Sequence, residues 1–319
     1  MAVATQTAGS VQGSARKRRN IALSFWGMVA PLGLGLLIFT YLPILWGFLL
    51  SITDARGTVK LTKFVGLANY QAMLSSPEFR GSLVTVTEFA IFIVPTTFIL
   101  ALFLAVLVEN APFAKGFFRS VFFIPTAISY VIASMIWRMS IFNGVPSGLA
   151  NQVIWVLFQH DPVSWISTPN PPLYWIVLVS VRLWLQVGFY MIVFIAGMQA
   201  IPRELYEAAR VDGAESKWAL FWKITFPLLR NTSIFILLIN IIHAFNAFSE
   251  FFNILGGTYA SSGGNLAMAR TPLIYLYQVA MSQQDYGRGT AGAFILAVII
   301  IVATLIQNKV SGGMGQEAY

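Results

Sequence analysis

Six stretches of the chain stay apolar for about twenty residues or more, at 25–50, 83–108, 119–140, 172–197, 230–254 and 287–308, with polar segments between them. A helix rises about 1.5 Å per residue, so roughly 20 apolar residues cross the ~30 Å hydrocarbon core of a bilayer. Each run also holds Gly, Pro or other small residues, which membrane helices accept because neighbouring helices satisfy the disturbed backbone. Pro31, Pro43, Pro95 and Pro125 are the expected kinks. The pattern predicts an all-α integral membrane protein with six spans over residues 21–308. A disordered tail at 1–20 precedes them and a short C-terminal tail at 309–319 follows. The connecting segments 52–82 and 141–171 are long enough for small amphipathic helices, either packing caps or docking surfaces.

Composition agrees. Hydrophobic residues make up 57% of the chain and charged residues 10%, with a mean hydropathy of +0.73. A soluble domain carries roughly 25% charged residues, so this chain has too little polar surface to cover a globule in water. Cysteine is absent, which removes disulfides and thiolate chemistry. The net charge of +8 does not point to nucleic acid, because Arg16, Lys17, Arg18 and Arg19 sit together just before the first apolar run. Such a cluster reads as a cytoplasmic flank. The run from Ile21 to Ile52 is too long for a signal peptide and reads as a retained first helix. Twelve Lys and Arg residues fall on the side of the termini and seven on the other, which places both termini in the cytoplasm.

The most informative polar interruption runs from Pro202 to Pro227. Pro202 suits a first helical position, Glu204 follows in the first turn, and Gly213 is placed to stop the helix in a left-handed conformation. Leu205, Ala208 and Ala209 fall on one small apolar face. A second helix is expected from near Ser216, with Trp218, Phe221, Trp222 and Thr225 on one stripe, ending before Pro227. The two make a hairpin projecting from the membrane.

This stretch resembles the EAA loop of binding-protein-dependent ABC importer permeases. Glu207, Ala208 and Ala209, the gap to Gly213, and Ile224-Thr225-Phe226-Pro227 carry the resemblance. Ten residues separate Gly213 from Ile224 where the family usually has nine, and Phe226 stands where Leu is usual. Phe64-Val65-Gly66-Leu67-Ala68-Asn69-Tyr70 resembles an element in the first outer loop of the carbohydrate-type permeases. Tyr275-Leu276-Tyr277, with Tyr286-Gly287 and Ala291, resembles their approach to the last helix.

The resemblance implies a type I importer transmembrane domain in a bacterial or archaeal inner membrane, with a cytoplasmic coupling helix in the loop 201–228. It implies that Tyr206, Glu207, Ala208, Ala209, Arg210, Asp212 and Gly213 meet an ATPase subunit. The implied partners are a second permease subunit, two ATPase subunits, an extracytoplasmic solute-binding protein and membrane lipid. ATP and Mg would be bound by the ATPase chains, with no cofactor in this one; the sequence has no Walker-type phosphate loop.

Polar groups within a span are costly and are functional suspects. The fourth run carries Arg182, Trp184, Gln186 and Tyr190; the fifth carries Asn240, His243, Asn246 and Glu250. Amides, carboxylates and aromatic rings are the chemistry that recognises sugars, so these eight are the candidate solute contacts. The competing roles are snorkelling to the outer interface for Arg182, bonding between helices for His243 and Asn240, and pairing with a basic residue at the outer end of its span for Glu250; bonding between helices is the expected role of Glu88 in the second run. A secondary transporter or a membrane enzyme is disfavoured: neither accounts for the EAA pattern, and two His with no Cys offer little catalytic chemistry.

Overall fold

The computed structural model describes residues 23–168, 170–213, 216–256 and 269–310. The predicted tail at 1–20 lies outside the described residues, as does the C-terminal tail beyond Val310.

The chain opens with α1 (Leu23–Ser51), a short α2 (Ala68–Ser75) and the long α3 (Pro77–Glu109). Next come α4 (Lys115–Ala127), α5 (Tyr130–Ile141), α6 (Leu149–Phe158) and α7 (Tyr174–Gln199). The polar interruption supplies α8 (Arg203–Val211) and α9 (Lys217–Leu228), followed by α10 (Arg230–Phe245) and α11 (Ser249–Leu255). Last are α12 (Pro272–Tyr277) and α13 (Tyr286–Val310). Four helices, α1, α3, α7 and α13, are singly long and apolar enough to cross a membrane. The pairs α4/α5 and α9/α10 qualify only together, bent by 95° and 65°.

Two of the expected spans are therefore interrupted. In the third, Pro125 cannot donate a backbone hydrogen bond, the helix tightens over Ile124–Ala127, and Ser129 restarts it by capping Val131 N. In the fifth, α10 ends at Phe245 and α11 begins only at Ser249. Asn246 turns its own amide onto Ile242 O, and Thr271 Oγ1 donates to Ala247 O at the break. The other prolines are absorbed. Pro31 and Pro43 lie within the single helix α1, with a wide turn at Leu37–Tyr41 just ahead of Pro43, and α3 runs through Pro95.

The return helix α9 also departs from expectation, continuing through Pro227 to Leu228. Its middle, Phe221–Thr225, is a π turn in which Phe226 N donates to Phe221 O. A π turn holds one residue more than an α turn.

Helices α3 and α7 pack along most of their length and organise two cores. One contains Phe79 to Val94 of α3, Tyr174 to Leu185 of α7, and residues of α11 and α12. The other contains Ala101 to Val108, Val187 to Ile195, Leu229 and Ile236. The seam between them crosses α7 at Gln186. By contrast, α1 lies against α13 and exposes most of its surface.

At the end away from the α8–α9 hairpin, the chain is clasped. Asn69 Nδ2 donates to Ser51 O and Thr53 O at 2.9 Å each, and Tyr286 N and Gly287 N both donate to Ala55 O. The Asn69 of the Phe64–Tyr70 element thus ties α2 to the end of α1, a packing role for that loop, while Ala55 O ties that end to the start of α13.

Gly188 sits where the α4–α5 bend meets α7, and a Cβ there would lie 1.7 Å from Phe122 O. Backbone cannot yield as a side chain does, so Gly188→Ala is expected to cost about 3 kcal/mol or more. Thermal unfolding in detergent measures this, with Gly27→Ala, which meets nothing within 4 Å, as control. Equal stability of the two variants would refute the packing argument.

Candidate functional site

Helix α8 begins at Pro202, whose extended conformation precedes Arg203, with Glu204 in the first turn and Arg210 in the last. Gly213 ends it with φ +90°, a value that other residues rarely adopt, and its amide reaches Arg210 O. Only Ala209 is buried. It packs with Leu220, flanked by Tyr206, Ala219 and Ile224. Tyr206 Oη lies 3.0 Å from Thr225 Oγ1, pinning α8 to the π turn. The predicted small face therefore splits: Ala209 turns inward, while Leu205 and Ala208 stay exposed. Glu207, Arg210, Val211 and Asp212 are exposed with them, Val211 at 88%. On α9, Thr225 is buried and Phe221 half-buried, but Trp218 and Trp222 are exposed; their rings meet edge-on, and Trp222 also packs against Phe226.

Inside the bundle a second group of polar residues converges on the seam between the cores. Arg182 and Glu250, both buried, form an ion pair at 2.6 Å. Arg182 Nε donates to Gln186 Oε1 at 3.1 Å, and its remaining terminal nitrogen donates to His243 O. Gln186 Nε2 and Tyr190 Oη lie 3.3 and 3.2 Å from His243 Nδ1. The guanidinium carbon stands 5.1 Å from the centroid of the Tyr130 ring and 6.0 Å from that of Phe89. One network thus joins α7, α10 and α11, with α5 and α3 covering it.

Five of the eight span residues singled out in the sequence, Arg182, Gln186, Tyr190, His243 and Glu250, belong to this network. Trp184, two residues from both Arg182 and Gln186, is exposed on another face of α7, 4.9 Å from the Trp137 ring. His243 and Asn246 share the exposed side of α10. Asn240 stands apart: it is fully buried, donates to Val94 O at 3.3 Å and holds α10 to α3. Glu88 is exposed on α3. Tyr130 and Trp137 were missed, because in a run of apolar residues an aromatic ring carries no polar signal. The flanking Ser129, a helix cap, was the available clue.

Removing one member of a buried pair leaves an uncompensated charge, which typically costs about 3–5 kcal/mol. Glu250→Ala is expected to show a loss of this size in detergent unfolding. The Arg182→Met, Glu250→Met double variant should lose much less than the two single losses combined. Additive losses would show that the pair is uncoupled.

The model of the family described as binding-protein-dependent transport system inner membrane component matches residues 32–315. An arabinooligosaccharide transport system permease of Bacillus subtilis is 33% identical over 294 residues, covering 90% of this chain and 88% of that protein. An sn-glycerol-3-phosphate permease of Agrobacterium fabrum is 31% identical over 283 residues, 88% of this chain and 92% of that one. A trehalose/maltose permease of Thermococcus litoralis is 32% identical over 283 residues, 89% and 92%. Among solved structures, a chain of a bacterial ABC transporter that imports the acidic polysaccharide alginate superposes with a TM-score of 0.79. It is 22% identical and covers 95% of this chain and 100% of its own. A second structure of an alginate transporter, in complex with its alginate pentasaccharide-bound periplasmic protein, gives 0.78 at 21% identity, with 93% and 96% coverage. The chain belongs to the binding-protein-dependent transport system inner membrane components, and it is a multi-pass permease subunit of an ABC transporter rather than an enzyme.

Proposed function

We propose that this chain forms half of the translocation pathway of an ATP-driven importer for a carbohydrate or related polyol, and docks an ATPase subunit through α8. The observation that carries the docking is the exposed tip. Glu207, Ala208, Arg210, Val211 and Asp212 face outward on a hairpin that only Tyr206 and Ala209 hold to the return helix. A tip of small and charged side chains suits insertion into a cleft on a partner, where Glu207 meets basic or amide groups. The hairpin end and both termini then lie in the cytoplasm. ATP and Mg are bound by two partner ATPase chains; a second permease subunit completes the pathway, and an extracytoplasmic binding protein delivers the solute.

The carbohydrate assignment rests on the relatives' named solutes and on the chemistry of the cluster. His243 and Asn246, exposed at the seam, supply an imidazole and a planar amide for sugar hydroxyls, and Trp184, exposed on another face of α7, supplies a ring face. Arg182, Gln186 and Tyr190 hold His243 in place, Glu250 holds Arg182, and Asn240 serves packing. The route of coupling is short. A push on α8 reaches α9 through the Tyr206–Thr225 contact, passes the bend at Leu229 into α10, and arrives at His243 and Asn246. A rigid-body shift there changes which side of the membrane the cluster faces.

The Glu207→Lys, Gly213→Asp variant reverses the charge at position 207 and forces a side chain into a positive-φ position. It should insert normally in the membrane, while binding-protein-stimulated ATPase and uptake fall by about ten-fold or more, over ~1.4 kcal/mol of coupling. Normal uptake by this variant would sink the docking assignment.

A further inference from the structure

Among the described residues, the groups proposed to line the pathway offer hydrogen bonds but no free cation, and this narrows the solute class. Recognition of a phosphate or carboxylate by arginine uses the planar fork of N–H donors, aimed at the anion. The fork of Arg182 is turned away. All three of its nitrogens are engaged by Glu250, Gln186 and the backbone of His243, and the rings of Tyr130 and Phe89 flank it. Glu250 cancels its charge within 2.6 Å.

The neighbouring imidazole is neutral for a geometric reason. Gln186 gives its oxygen to Arg182 Nε, which leaves its NH₂ group facing His243 Nδ1. An amide nitrogen only donates, so Nδ1 accepts and carries no proton. Trp184 and Asn246, the other exposed candidates, are uncharged, and the exposed Glu88 of α3 is an acid, which offers an anion no counter-charge. Arg138 of α5 is exposed but lies about two helical turns from Tyr130 toward the clasped end, where it donates to Asn253 O at 3.0 Å.

We propose that this pathway selects uncharged, hydroxyl-bearing solutes, neutral oligosaccharides or polyols, and discriminates against phosphate esters and uronates. An anion entering a low-dielectric site without a counter-charge loses its hydration and gains nothing in return. A neutral sugar loses only hydroxyl hydration, which amide, imidazole and ring faces restore. This would set the chain apart from its sn-glycerol-3-phosphate relative and from the alginate importer. The inference rests on the importer reading above.

The test uses the assembled permease–ATPase complex without its binding protein, so that the permease alone does the sorting. Equilibrium dialysis is run with labelled arabinotriose, maltotriose and trehalose against sn-glycerol-3-phosphate and digalacturonate. At least one neutral probe should bind about ten-fold more tightly than either anion. Equal or tighter binding of an anion, or retention of no neutral probe, overturns the proposal. Glu250→Gln, which unbalances Arg182, should shift the anion-to-neutral ratio upward by about ten-fold, and an unchanged ratio also overturns it. If that variant does not fold, the charge-balanced Arg182→Met, Glu250→Met variant replaces it and should keep the neutral preference; an anion preference there counts against the proposal. Stimulation of ATPase by binding protein, read on the same preparation, tests the importer assignment separately: its absence fails that assignment, whatever the dialysis shows.

Discussion

Inside hydrocarbon an interrupted helix strands carbonyls and amides that no water can reach, and the architecture of this chain follows from where those groups find partners. The break after α10 is held by Asn246 on Ile242 and by Thr271 on Ala247. The break before α5 restarts on Ser129, and its bend is pressed against Gly188, where no side chain intervenes. At the clasped end, Asn69 and the first amides of α13 saturate the carbonyls that end α1. Irregular backbone appears where a partner from another helix is already present.

The polar cluster follows from the same constraint. Because α10 stops at Phe245 and α11 resumes at Ser249, Glu250 can turn back toward α7, and the carbonyl of His243 is free for the second arm of Arg182. A continuous helix would have kept that carbonyl for its own ladder. The pair then seals the boundary between the two apolar cores through which α3 and α7 both run. Buried networks of this kind are worth most when every member is satisfied, and they specify one arrangement rather than adding raw stability.

Local rules made much of this legible. Apolar run length gave the spans, and Pro202, Glu204 and Gly213 gave the limits of α8 because caps and stops act within one turn. Long-range facts stayed hidden. The segment from Phe245 to Leu255 reads as unbroken because its interrupting bond comes from Thr271, and 68 residues separate Arg182 from Glu250. Periodicity put Leu205, Ala208 and Ala209 on one face but could not say which of them α9 would cover. That depended on the register of Leu220, which the sequence left ambiguous through its extra residue.

That extra residue has a geometric consequence. One residue added to an α-helix rotates everything beyond it by about 100°. Inserted without compensation between Gly213 and Ile224, it would swing the tip of the hairpin a quarter-turn or more around the axis of α9. The π turn at Phe221–Thr225 holds one residue more than an α turn, and a residue accommodated in such a widened coil adds length without adding rotation. The hairpin thereby behaves like a shaft with a spacer: its reach is adjustable while its angular phase is kept.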